Sequence, residues 1–135
     1  MARCESGRQL TRDTLGRMTP DSFIAALRVD VRDSAVDGCI GQYESPAGRR
    51  PPSALLELSN WFNGLPAKDR VMVERVARDV AGATVFGFLT VLDGDRVIEA
   101  GPDKGELRLV YVKPPIEQVL NDPDEEALHD RWNAT

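Results

Sequence analysis

Histidine occurs once in these 135 residues, cysteine twice and lysine three times, and no apolar run is long enough to span a membrane. Each scarcity removes a class of function. Hydrolytic triads and neutral-pH acid–base chemistry usually recruit histidine, so any such chemistry has to centre on His129. Cys4 and Cys39 have no second thiol or histidine at ligand spacing, which argues against a disulfide framework and a structural zinc site. Cys39 sits among apolar neighbours and reads as a small buried hydrophobe. The longest apolar stretch, Val80 to Leu92, has 13 residues, short of the roughly 18–20 that cross a bilayer. The arginine-bearing N-terminus has no apolar run behind it, so a secretory signal lacks its hydrophobic region and a cytoplasmic location is expected.

Two loop signatures also fall short. Gly82 and Gly87 are five residues apart, without the lysine and hydroxyl of a phosphate-cradling loop. Asp93-Gly94-Asp95 begins like a calcium loop, but the twelfth position is Lys104 where a bidentate glutamate is needed. It reads as turn chemistry closing an apolar element. No cofactor is expected.

What is present is an ordinary globular composition, 41% hydrophobic and 29% charged, in a length that suits one domain. The net charge is −5, unevenly spread: residues 1–20 carry four arginines against two acids, and residues 93–135 carry eleven acids against five bases. That sign repels nucleic-acid phosphate and anionic lipid, so neither nucleic acid nor membrane is the expected partner.

Residues 1–18 show no sustained period and read as a flexible arm, leaving residues 19–135 as one α+β domain. Thr19-Pro20-Asp21 opens a helix with a capping hydroxyl, a proline at the first position and an acid facing the positive dipole end. Its apolar face should run through Phe23, Ile24, Leu27, Val31, Ala35, Val36, Cys39, Ile40 and Tyr43, with Gly38 and Gly41 marking a kink or close packing. The proline-rich stretch 45–52 breaks it. Ser53 then caps a short helix ending in Trp61 and Phe62. Pro66 opens the strongest helix, with Val71, Val73, Val76, Ala77 and Val80 expected toward the core and Glu74–Arg78 forming an i,i+4 pair.

Residues 81–92 are apolar all round, which fits a central strand or a buried continuation of that helix. The lack of turn residues favours the helix, ending near Asp93-Gly94. Leu107 to Lys113 reads as a strand, with Val97–Ile98 and Ile116–Leu120 as short partners in a small antiparallel sheet. Asp122-Pro123-Asp124-Glu125 writes a helix start for a final helix that docks through Leu128 and Trp132. The sum is a mainly helical N-terminal two-thirds packed on a small antiparallel hairpin or sheet, ending in a short helix.

Three groups are candidate sites, each beside a plainer reading. His129 with Glu125 at i−4 and Asp130 beside it suits an acid–base centre; equally, it is a histidine near a helix C-terminus pairing with Glu125. Asp122, Asp124, Glu125 and Glu126 suit a divalent cation, although a cap and a helix dipole account for four acids in a first turn. Trp61 and Phe62 cannot both face the core of one ideal helix, so one exposed at the surface suits a protein-binding anchor, although capping of the core beneath the proline-rich loop is the plainer account.

Val85-Phe-Gly-Phe-Leu-Thr-Val-Leu-Asp-Gly94, Gly105-Glu-Leu-Arg-Leu-Val-Tyr-Val112, and Leu120-Asn-Asp122 followed by Leu128-His-Asp130 resemble a pattern of small uncharacterised bacterial proteins. The resemblance implies a bacterial cytosolic accessory protein and carries over no residue role. The arginine bias suits the same origin. The expected function is a small acidic protein-binding module, of immunity or antitoxin type or an accessory protein, meeting a basic protein surface. An acid–base hydrolase centred on His129 and a homo-oligomeric structural protein are the alternatives.

Overall fold

The computed structural model of the chain describes residues 17–134. The expected arm lies outside that range except for Arg17 and Met18, and so does Cys4. Thr19 closes the first helix as its residues suggest: its hydroxyl accepts the Ser22 amide at 3.1 Å, and the Ser22 hydroxyl accepts the Thr19 amide at 2.8 Å. The two exchanged bonds satisfy two otherwise orphan donors.

Helix α1 (Pro20–Ala26) runs on through a π-helical segment, Leu27–Asp33, into α2 (Ser34–Glu44). The irregularity is therefore upstream of Gly38 and Gly41, which have open space where a β-carbon would stand. Ile24 and Val36 are twelve residues apart, a separation that places them about 120° apart on a regular α-helix. The wider π turn rotates less per residue and brings Val36 back to the side of the bundle that Ile24 faces. It also turns Val31 and Cys39 outward; both are exposed, correcting the regular-helix expectation.

The proline-rich stretch reverses the chain into α3 (Ser53–Gly64), whose N-cap is Pro52, with Ser53 already its first residue. Helix α3 lies against α2. Phe62 meets the Tyr43 ring at 6.0 Å between centroids, and Ser59 and Asn63 donate to the Tyr43 carbonyl at 2.6 and 3.1 Å. Helix α4 (Ala67–Leu92) then runs unbroken for 26 residues, so the helical reading of residues 81–92 holds. Its glycines admit side chains: Gly82 takes Arg32 and Trp132, and Gly87 takes Arg96.

Two apolar clusters hold α4 to its neighbours. One gathers Val36, Ile40 and Phe62 around Val73, Ala77 and Ala81; the other gathers Ile24, Leu89, Leu128 and Trp132 with Val85, Phe86 and Leu109. Val73 and Ala77 face inward as expected, whereas Val71, Val76 and Val80 face solvent. With partners packed on one side only, a helix apolar on several sides leaves some of them bare.

Strands β1 (Val110–Lys113) and β2 (Ile116–Val119) form the antiparallel hairpin, in register from Val110 against Val119 to Lys113 against Ile116. Pro114 and Pro115 make its turn. Val97 and Ile98 are exposed and outside the sheet, which corrects their expected pairing.

The final helix, α5 (Leu128–Asn133), starts five residues later than the Asp122-Pro123 signal suggests. Asp122 closes only a turn, accepting the Asp124 amide on its carboxylate at 3.0 Å and the Glu125 amide on its carbonyl at 3.1 Å. Ala127 is extended, which ends that turn and lets Leu128 reach the core. Arg28 and Arg32 stack on the Trp132 ring, 5.0 and 5.6 Å from its centroid, and Arg28 also donates to the Trp132 carbonyl, tying α5 to the π segment.

Leu89 is wholly buried, so Leu89→Ala should lower the unfolding free energy by about 2–5 kcal/mol, read as an earlier urea midpoint with an unchanged slope. A second test concerns Asp33, whose carboxyl is held below the usual range, chiefly by the hydrogen bond from Arg32 and further by the charges of Arg32 and Arg78. A lowered folded-state value gives stability that is present above the unfolded value of about 3.9 and is lost as pH falls through the folded one. Below about pH 4 the melting temperature of the native chain should therefore fall more steeply than that of Asp33→Asn.

Candidate functional site

The geometry around the single histidine begins with how α4 ends. Gly94, at φ +81°, lets the Gly94 amide reach the Val91 carbonyl at 3.2 Å and the Asp95 amide reach the Thr90 carbonyl at 3.0 Å. This paired closure uses up carbonyls that the helix end would otherwise leave bare, and it favours glycine because the left-handed backbone penalises a β-carbon. It also throws Asp93 and Asp95 toward α5.

Asp93 is the group on which α5 starts. Its Oδ2 accepts the His129 amide at 2.9 Å and contacts His129 Nδ1 at 2.8 Å. Ala127 makes no side-chain cap, so a carboxylate from another helix performs that duty at the second position of α5. Asp95 meets His129 Nε2 at 2.9 Å, and Asp130 lies 3.6 Å from the same nitrogen. The Asp93 side chain is 6% exposed and that of Asp95 64%.

Carboxylates thus stand at both ring nitrogens of His129, whose side chain is 12% exposed. The ring meets Phe86 edge-on at 5.9 Å. His129 thus stands near the N-terminus of α5, correcting the expectation of a C-terminal position. Its orienting acid is Asp93 in place of Glu125, which lies 3.9 Å from Arg131.

The other candidate residues disperse. Glu126 also faces Arg131, at 3.7 Å, while Asp122 and Asp124 close their own turn. Among the described residues no group of three potential ligands is placed to hold a metal ion. Phe62 is buried in the core, and Trp61 is 54% exposed beside it. Among the described residues no helix is long and apolar enough to cross a membrane.

Two features had no local signal in the sequence. Asn121 ties three segments: its Oδ1 accepts the Leu109 amide at 2.7 Å, and its Nδ2 donates to the Leu92 and Leu107 carbonyls, each at 2.8 Å. Beside it opens a cavity of about 400 Å³ between the end of α4, the loop after it and residues 121 and 123. Asp93 is on its wall; His129 is not.

The second feature is on α4. Met72, Val76, Val80, Thr84 and Phe88 stand one helical turn apart and are all exposed. Thr84 donates its hydroxyl to the Val80 carbonyl at 2.8 Å, so even this polar member has its donor satisfied within the helix.

Comparison with family models, with curated proteins and with solved structures returns no match.

If Asp93 is the cap of α5, its removal should far outweigh removal of its exposed counterpart. Asp93→Ala is expected to cost about 2 kcal/mol and Asp95→Ala less than about 1 kcal/mol, measured by urea unfolding of each variant. Equal losses would contradict the assignment.

Proposed function

We propose that the protein is a protein-binding module that carries out no bond-making chemistry and docks through the exposed ridge of α4. The observation that carries this reading is the row Met72, Val76, Val80, Thr84 and Phe88, uncovered along a 26-residue helix. Exposed apolar side chains scattered singly are ordinary, whereas a continuous row on one rigid helix is the surface that helix-to-helix recognition uses. A ridge at i,i+4 spacing winds slowly round its helix, so a partner helix packs across it at about 50° with its own ridge between these side chains.

The packing of Asp93, Asp95 and Asp130 against the His129 ring nitrogens supports the same reading, since it leaves little room for a substrate there. Trp61 adds a second exposed anchor on α3. The acidic excess of residues 93–135 would speed the approach of a basic partner and make it salt-sensitive. An immunity or antitoxin role rests on size and charge only and adds nothing to this argument.

The test compares the native chain with Val76→Glu/Val80→Glu, which places two carboxylates on the ridge and leaves both core clusters untouched. With circular dichroism and melting temperature unchanged, capture of partner by cross-linking in native lysate should fall at least about tenfold, the effect of losing an interface anchor. Light scattering of the purified chain at tens of micromolar decides whether the partner is a second copy. Unchanged capture by the variant sinks the reading.

A further inference from the structure

The cavity beside Asn121 is independent of the α4 ridge, and its wall has an uneven account of charge. Six of its side chains are apolar: Val91 and Leu92 from the end of α4, Val97 and Ile98 from the loop, Leu107 from the run into β1, and Pro123. Each of its three acids has a partner, that of Glu99 being the neutral Gly105 amide on the same wall. Asp93 holds His129, Glu99 accepts the Gly105 amide at 2.7 Å, and Glu106 pairs with Arg108 at 3.4 Å. Its two cations, Arg96 and Lys104, form no ion pair among the described residues.

Arg96 is also specifically seated. Its Nη1 lies 2.9 Å from the point where a β-carbon on residue 87 would stand, so glycine at that position lets the guanidinium lie against α4, and a larger residue would push it aside. The negative end of the α4 dipole favours a cation there and supplies no ion partner for it. An apolar cavity with a few convergent polar groups is the common form of a small-molecule site, and about 400 Å³ falls at the small end of the usual range of about 300–1,000 Å³.

We propose that this cavity binds a small amphipathic carboxylate, its apolar body against Val91, Leu92, Val97, Ile98 and Leu107 and its anionic head toward Arg96 and Lys104. Asn121 shapes the site without binding, since its amide is committed to Leu92, Leu107 and Leu109. The apolar wall selects for a body of about six to ten carbons, and the two cations select the acid over its neutral analogues.

Octanoate and 1-octanol serve as matched probes, titrated into the full chain and followed by amide chemical shifts. Octanoate should shift Gly94, Gly105 and Asn121 saturably, and 1-octanol should bind about tenfold more weakly, the order of effect expected from one charge-assisted contact. Arg96→Gln/Lys104→Gln should cost octanoate about tenfold and leave 1-octanol unchanged. Leu107→Trp, which fills the cavity, should abolish both. Equal affinity for the two probes in the native chain overturns the anion assignment without any variant. Saturable shifts that map outside the cavity, or none up to about 10 mM, overturn the site.

Discussion

The carboxylate of Asp93 is the point through which the two ends of the fold are joined. It leaves the last turn of α4 and closes the first turn of α5, taking the His129 amide and the imidazole on one oxygen. Everything that fixes α5 is arranged around that closure: Leu128 buried against Leu89 and Ile24, Trp132 under Arg28 and Arg32, and Arg131 on Asp21 at 2.7 Å. A six-residue helix forms poorly alone, because its nucleation cost exceeds what a few internal hydrogen bonds return. Its existence here is tertiary, and Asp93 supplies the polar part.

The same junction decides what the single histidine can do. An imidazole packed between Asp93 and Asp95 ties the end of α4 to α5 and leaves little room for a substrate beside the ring. Other features stand apart from it: an exposed row on α4, an exposed tryptophan on α3, and a cavity whose two cations form no ion pair among the described residues. Packing explains why α4 is left open. Helices α1, α2 and α5, with the π segment, cover one side of it, and the hairpin reaches it only near its C-terminal end through Leu109 and Asn121.

Much of this was legible wherever the deciding contacts are local. Thr19-Pro20-Asp21 marks a helix start because its bonds lie within one turn, and Asp93-Gly94 marks a helix end for the same reason. The Glu74–Arg78 pair, at 3.3 Å, is another contact within one turn. Apolar periodicity misled where a distant partner set the phase. Val31 would face the core of a regular helix, but the π segment rotates it out, and that segment answers to Trp132 and Arg78 far along the chain. Asp122-Pro123 carries every mark of a cap, yet the helix waits until Leu128 because burying that leucine and capping His129 from Asp93 outweigh local preference. Asn121 looks like any turn asparagine until its three backbone partners, between 12 and 29 residues away, are known.

Native-state hydrogen exchange at the His129 amide tests the central junction most directly. A backbone N–H one residue into a short terminal helix ordinarily exchanges nearly as fast as in an unfolded chain. If Asp93 holds it as described, this amide should be protected to the level of the Leu89 core and lose that protection together with the rest of α5. Exchange at the rate of a frayed terminus, with Leu89 still protected, would contradict the account.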